Sequence, residues 1–329
     1  WYLKNTRDLL LQATIPASSG YTSAMLNVGS MQNKGYEVTL DLVPVQKKNF
    51  SWNMNFNIAI NRNKVTALTN DQYSLLRSVS WDQRFNAQYP YITQVGKPSG
   101  MMYGFIYEGT YKLDEFNGGS LKDGIPYMTS VGQEKVQPGD PKYRDINHDG
   151  LIDDNDRTVI GCGQPLHTGG FGNTFNFYGF DLNIFFSWSY GNDVINANRL
   201  YFENGSITNT NQLKSYKNRW TVDNPDSDIP RVGADIASMF VYSSRVVEDA
   251  SFLRLRNVTL GYTLPRKVLR KMNFDTMRFY ISGENLWTLT NYSGPDPEVS
   301  TRNSVLTPGF DWSAYPRALG VTAGLSLTF

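Results

Sequence analysis

The last eleven residues of the chain alternate between apolar and small side chains without interruption. A period of two predicts a β-strand with one apolar face. At about 3.3 Å per residue and a tilt near 45°, this strand rises about 25 Å, the height of the apolar band of a membrane barrel. An edge strand of a soluble sandwich is the alternative, but an unpaired apolar edge promotes aggregation, which favours a closed barrel. The apolar set is Leu319, Val321, Ala323, Leu325, Leu327 and Phe329.

The clearest alternation lies in residues 35–61, where two apolar-polar segments flank a short polar turn at 44–49. The second segment places asparagines at 53, 55, 57 and 61 opposite its apolar residues. An unpaired amide in a dry core costs a few kcal/mol, whereas an amide facing a water-filled lumen costs little. This hairpin therefore favours a large barrel over a sandwich. We expect its outward side chains to face lipid, together with those of two later strands. The lipid-facing set is Trp52, Phe56, Ile58, Phe186 and Leu325.

Further strands are predicted at 170–177, 180–189, 252–264 and 277–289, an imperfect alternation in 1–14 predicts one more, and a loop is predicted at 15–30. Short turns alternate with the long polar segments 61–169, 190–250 and 291–317. This order puts the short turns and the C-terminus on one side of a membrane and the long loops on the other. Eight strands closed by themselves would fill their own interior with side chains. We therefore predict an all-β, transmembrane antiparallel β-barrel with long extracellular loops, to which this chain contributes about eight C-terminal strands.

Charge and composition exclude several classes of protein. The 329 residues carry 31 Lys and Arg against 30 Asp and Glu, which gives no basis for a nucleic-acid partner. Aromatic residues reach 14%, a value typical of interfacial aromatic girdles. The chain begins at Trp1 without a signal peptide, so we expect it to start inside a larger protein. No nucleophile, base and orienting group occur together, so we do not expect an enzyme.

An acidic loop at 145–156 matches the calcium-loop pattern D-x-[DN]-x-[DN]-G. Calcium takes six to eight oxygen ligands, and this spacing wraps oxygens around one point. Asp156 stands where an EF-hand has glutamate, and its shorter side chain reaches less far. The alternative is an acidic turn that stays solvated. The predicted Ca²⁺ ligands are Asp145, Asn147, Asp149, the backbone carbonyl of Leu151, Asp153 and Asp156.

Two other groups of residues are candidates for contacts outside the chain. Tyr103, Phe105, Tyr107 and Tyr111 have aromatic rings that can stack on a sugar or peptide, although packing inside the loop is the alternative. Arg254 and Arg256 share the parity of the outward residues Val258 and Leu260, so we expect both at or above the outer interface of the bilayer, where charge is tolerated.

Several segments together resemble the C-terminal half of the barrel of SusC/RagA-type TonB-dependent outer-membrane transporters. The acidic run is the most distinctive of them. The matching segments are Asn33–Glu37 leading into Phe50–Trp52, Pro138–Gly161, Tyr178–Leu182, Phe252–Tyr262 and Phe279–Leu286.

The resemblance implies a barrel of about 22 strands in the outer membrane of a Gram-negative bacterium. It also implies extracellular long loops, a periplasmic C-terminus and an N-terminal plug domain, which is absent from this sequence. The implied partners are a SusD-like surface lipoprotein and TonB, with glycans or oligopeptides as substrates. Leu325, Leu327 and Phe329 match the family's signal for the barrel assembly machinery. Two alternatives stay open, a passive porin or adhesin barrel and a soluble calcium-stabilised carbohydrate-binding protein.

Overall fold

A computed structural model describes residues 1–7, 10–14, 23–27, 29–68, 72–85, 88–270, 274–301 and 304–329. The strands begin with β1 (Tyr2–Thr6), β2 (Leu10–Thr14), β3 (Ser23–Asn27), β4 (Gly29–Lys47), β5 (Phe50–Leu68), β6 (Ser74–Arg77), β7 (Tyr91–Gln94) and β8 (Met101–Gly104). They continue with β9 (Tyr107–Thr110), β10 (Phe116–Asn117), β11 (Ser120–Leu121), β12 (Tyr127–Met128), β13 (Pro141–Tyr143), β14 (Leu151–Ile152), β15 (Thr158–Cys162) and β16 (His167–Phe177). The last are β17 (Phe180–Tyr190), β18 (Asp193–Asn196), β19 (Val247–Asp249), β20 (Phe252–Thr263), β21 (Thr276–Thr290), β22 (Phe310–Asp311) and β23 (Gly320–Thr328).

Among the described residues, helices are few and short. The α-helices are α1 (Ala197–Phe202), α2 (Ile236–Met239) and α3 (Arg266–Leu269), and the 3₁₀ turns are Gln83–Phe85, Leu113–Glu115, Gln133–Lys135, Asp154–Asp156, Lys214–Asn218 and Ser244–Val246. Within the described ranges, no helix has the length and apolar character needed to cross a membrane.

Eight strands form one antiparallel sheet, which we call the wall. Their spatial order is β1-β4-β5-β16-β17-β20-β21-β23. The wall strands therefore lie side by side in the same order as they occur in the sequence. Among the described residues, β1 and β23 each pair with one neighbour, which makes this part of the barrel an open sheet. The predicted all-β antiparallel barrel architecture is confirmed, and β1 lies in the segment 1–14, where an imperfect alternation predicts a strand.

All long connections leave the same end of the wall. The β4–β5 and β16–β17 turns are two residues each, at 48–49 and 178–179, and α3 lies in the β20–β21 connection. The segments 69–166, 191–251 and 291–319 leave the opposite end. Thr328 pairs with Thr276, which puts the C-terminal strand end beside the short turns. The predicted alternation of short and long connections is therefore present.

The first hairpin is longer than the alternation predicted. β4 begins at Gly29 and β5 continues to Leu68, so the boundaries predicted for the loops 15–30 and 61–169 are wrong. Residues 61–64 are polar on both faces, yet their backbones pair with residues 32–35, and Asn63 donates to Asn33 at 2.8 Å. Backbone pairing needs no apolar face once a strand extends beyond the apolar band. β3 also lies in the predicted loop at 15–30, of which 15–22 and 28 lie outside the described residues.

The long connections pack into a second region, which we call the loop layer. Its short strands belong to small separate sheets of two to four strands. The largest apolar cluster draws on three connections and includes Phe85, Tyr91, Met102, Ile195, Tyr242 and Phe310. A second cluster includes Phe105, Tyr111, Met128, Tyr143 and Ile152. The predicted long loops therefore have hydrophobic cores of their own.

Candidate functional site

One face of the wall is apolar across its strands. Directly paired residues point to the same face of a sheet, so the register identifies the members of each row. One row contains Val38, Ile58, Gly169, Trp188, Leu253 and Leu289, and another contains Leu40, Phe56, Phe171, Phe186, Leu255 and Trp287. All five residues predicted to face lipid, Trp52, Phe56, Ile58, Phe186 and Leu325, lie on this face. Their contact with lipid stays a prediction.

Aromatic side chains border the apolar face near the short turns. Five residues on successive wall strands are direct cross-strand partners, and they are Phe50, Phe177, Phe180, Tyr262 and Phe279. The ring centroids of Phe180 and Tyr262 lie 4.4 Å apart. Such a row is typical of the aromatic girdle at a membrane interface. Phe329, whose ring lies 5.2 Å from that of Phe274, is exposed at the same end. Its predicted role with Leu325 and Leu327 in barrel assembly stays a prediction.

The opposite face of the wall carries hydrogen-bonding side chains. Asn183 donates to Thr174 at 2.9 Å, and Asn257 donates to Ser282 at 3.0 Å. Asn53, Asn55 and Asn57 lie on this face, as the sequence pattern predicted. A polar face opposite an apolar face is the arrangement of a barrel wall between a lumen and a bilayer.

Arg254 and Arg256 lie on the polar face, so the predicted outward orientation of both arginines is wrong. The register shifts by one residue between Leu255 and Asn257. This bulge lets Leu255 and Val258 share the apolar face although they are three positions apart in the sequence, an odd step that would put them on opposite faces of a regular strand. Arg254 instead opposes Ser187, and Arg256 Nε donates to Ser187 Oγ at 2.7 Å.

An acidic segment of the 291–319 connection binds these two arginines. Arg254 is buried and contacts Asp296 at 2.5 Å, while Arg256 contacts Glu298 at 2.6 Å. Burial favours the protonated form of Asp296, but hydrogen bonds from Arg254 and from the backbone N–H groups of Arg317 and Glu298 prevail and lower its pKa. Residue types alone did not reveal this cluster, because its partners are about forty residues apart. The acidic pair in the Pro-rich stretch 295–298 was the only sequence signal.

Most of the aromatic residues predicted to contact substrate pack inside the loop layer. Phe105 and Tyr111 are 3% exposed, which removes their ring faces from any ligand. Tyr107 packs against the same cluster and donates its hydroxyl to the carbonyl of Asp228 at 2.6 Å. Burial raises the pKa of both Tyr107 and Tyr111 above its ordinary value. Tyr103 is half-buried in β8. Loop packing, the alternative for this group, accounts for Phe105, Tyr107 and Tyr111.

The 145–156 loop is tightly wound around two aspartates. Asp145 accepts from the backbone N–H groups of His148 at 2.6 Å and Gly150 at 2.8 Å, and both donors lie at residues with positive φ. Asp156 is completely buried and accepts from Ile146 at 2.7 Å and Asp153 at 2.9 Å. These bonds join the two ends of the loop.

The side chains of the remaining predicted calcium ligands make hydrogen bonds within the loop. Asn147 and Asp149 bond to each other at 2.9 Å, and Asp153 accepts from Asn155. Leu151, whose backbone carbonyl oxygen is predicted to ligate Ca²⁺, belongs to β14, which pairs with β12. In the part of the chain that the structure describes, no group of three or more His, Cys, Asp or Glu is placed to hold a metal ion. Calcium binding therefore stays a prediction of the sequence pattern.

The two-faced antiparallel wall defines the chain as part of a β-barrel of the outer-membrane type. Comparison with known proteins agrees. Over its full length the chain is 32% identical to TonB-dependent receptor P3 of Formosa agariphila and 26% identical to TonB-dependent receptor SusC of Bacteroides thetaiotaomicron. It covers 32% and 29% of these two relatives, so it spans about a third of their length.

A solved structure of the RagAB peptide transporter matches 99% of the chain with a TM-score of 0.77 and 27% identity, over 32% of that structure's chain. No family model matches the sequence. The resemblance to SusC/RagA-type TonB-dependent receptors is thus confirmed, and the chain corresponds to a portion of such a receptor's barrel.

Proposed function

We propose that this chain forms part of the barrel wall of a TonB-dependent importer in the outer membrane of a Gram-negative bacterium. The observation that carries the proposal is the eight-stranded wall, apolar on one face and polar on the other. In this arrangement the apolar rows face lipid and the asparagine-rich face lines the passage for solute. The loop layer lies outside the cell, and the short turns with Phe329 lie in the periplasm.

The substrate class that we propose is a glycan or an oligopeptide. Relatives named SusC and RagAB support it, since the solved RagAB structures are described as peptide transporters or importers. The same similarity supports a SusD-like surface lipoprotein over the loop layer and energy supplied through TonB. This transport role requires no catalytic residue in the chain.

Uptake in the native bacterium tests the proposed activity. Cells lacking the gene that encodes this chain should lose growth on a particular glycan or oligopeptide as sole nutrient, and cells lacking TonB should lose the same growth. A gene-dependent flux that persists without TonB would instead support the passive porin. Recovery of the protein in the soluble fraction without detergent would support the carbohydrate-binding alternative.

Cysteine labelling tests the proposed orientation. In a Cys162→Ser background, Tyr315→Cys places a thiol on a residue that is 92% exposed in the 291–319 connection. Tyr178→Cys places a thiol on an exposed short turn at the other end of the wall. A membrane-impermeant maleimide should label the first variant in intact cells and the second only after lysis. The reverse result would contradict the assigned sides.

A further inference from the structure

A cavity opens on the apolar face of the wall, at the end from which the long connections leave. It has a volume of about 480 Å³ and lies where β16, β17, β20 and β21 meet the loop layer. Trp188, Leu253 and Leu289 line its lower part, and all three belong to one cross-strand row of the apolar face. The cavity is therefore continuous with the surface that we propose to face lipid.

Polar side chains surround the upper part of the cavity. His167 and Tyr190 are direct cross-strand partners whose rings stack at 5.0 Å, and this pair lies two residues closer to the loop layer than the pair of Gly169 and Trp188. The indole Nε1–H of Trp188 donates to His167 Nδ1 at 3.0 Å. This bond holds the indole at the boundary between the apolar and polar parts. A space that is apolar below and polar above fits an amphiphile.

The charge at the cavity favours one kind of head group. Asp249 is exposed and lines the upper part of the cavity. Its carboxylate Oδ1 accepts a hydrogen bond from the backbone N–H of Ser251 at 2.9 Å and another from the Ser251 hydroxyl at 2.5 Å. These two bonds orient the carboxylate. Among the described residues that line the cavity, none is a lysine or an arginine. A carboxylate without a neighbouring cation in the cavity attracts an ammonium group and repels an anionic one.

We propose that this cavity binds one membrane lipid whose head group carries an ammonium. The acyl chain lies along Trp188, Leu253 and Leu289, and the ammonium lies beside Asp249. This inference rests on the proposed function, because it requires the apolar face to be in a bilayer. It adds a lipid preference that the position of the wall alone does not require.

Tryptophan quenching tests the site in nanodiscs made of equal parts phosphatidylethanolamine and phosphatidylglycerol. Two preparations of identical composition differ only in which lipid carries bromine atoms on its acyl chains. The fluorescence of Trp188 is obtained by subtracting the fluorescence of the Trp188→Phe variant from that of the parent protein. Trp287, on the neighbouring row of the same face, serves as the control through Trp287→Phe. We expect brominated phosphatidylethanolamine to quench Trp188 more strongly than brominated phosphatidylglycerol does. The expected ratio is only about two, because a charge contact at an exposed carboxylate contributes little free energy.

The control residue separates failure of the site from failure of the function. Trp287 should be quenched equally by both lipids, and Asp249→Asn should abolish the difference at Trp188. Equal quenching of Trp188 by both lipids, with Trp287 also quenched, would overturn the proposed site and leave the membrane wall intact. Absence of quenching at both tryptophans would overturn the proposed function and the lipid site with it.

Discussion

The wall and the loop layer bury apolar residues in different ways. In the loop layer, Phe310 and Tyr91 are completely buried among side chains of the same chain. On the wall, Tyr36, Val38 and Leu40 are between 48% and 60% exposed although they belong to a continuous apolar face. The loop layer therefore carries its own hydrophobic core, whereas the wall depends on a surrounding apolar solvent.

This difference separates two sources of stability. The hydrophobic effect that drives side chains out of water stabilises the loop layer in any aqueous medium. Backbone pairing and lipid contact stabilise the wall, because a strand in a bilayer must satisfy its polar groups within the sheet. Mutations in the two regions should thus respond differently to the presence of lipid.

The largest expected effect is the loss of a buried ring from the loop layer. Phe310→Ala should cost about 3–5 kcal/mol of unfolding free energy, because it removes a completely buried side chain and leaves a cavity. Denaturant unfolding in detergent and in bilayers measures this cost, which should be similar in the two media. Tyr315→Ala, on a residue that is 92% exposed, should change stability by less than about 0.5 kcal/mol. A large loss for Phe310→Ala in bilayers alone would contradict an independent core.

A charge on the apolar face of the wall should have the next largest effect. Ile58→Arg is expected to cost about 2–4 kcal/mol in a bilayer if the residue lies near the midplane. Asn55→Arg on the polar face is the matched control and should cost less than about 0.5 kcal/mol, since Asp41 lies within reach of its side chain. Unfolding titrations in lipid vesicles compare the two variants. Equal stability of both would show that the faces are assigned wrongly.

A smaller effect should appear in acid at the contact between the wall and the 291–319 connection. Hydrogen bonds lower the pKa of Asp296 in the folded protein, so its contribution to stability is complete above its unfolded pKa of about 3.9. That contribution is lost as the pH falls through the lower folded value. Below about pH 4, stability should fall more steeply in the parent than in Asp296→Asn. Parallel pH profiles of thermal unfolding would contradict this assignment.

The smallest expected effect concerns calcium. If the 145–156 loop binds Ca²⁺, calcium should raise the unfolding temperature of the parent and not that of Asp149→Ala. Asp156→Ala should destabilise the loop even without calcium, by about 1–3 kcal/mol, because Ile146 and Asp153 would lose a buried acceptor. Calcium titration monitored by thermal unfolding measures both. Equal calcium affinity of the parent and Asp149→Ala would exclude the predicted ligand set.

Strands with strict alternation were predictable, and polar extensions were not. Alternation located β17 and β23 closely because each has one apolar and one polar face. β5 continues seven residues beyond Asn61 because its backbone still pairs where side chains no longer alternate. Tyr111 shows the corresponding limit for sites, since an aromatic residue in a loop has the same sequence signal whether it binds a ligand or fills a core.

The sequence by itself determined that the chain forms a two-faced antiparallel barrel wall, because a side-chain period of two requires only neighbouring residues. It also determined the order of short and long connections. Only the tertiary structure decided the orientation of Arg254, because a bulge reverses its parity and its partner Asp296 lies 42 residues away. It likewise decided that His167, Trp188 and Asp249 surround one cavity, since strands distant in sequence bring them together.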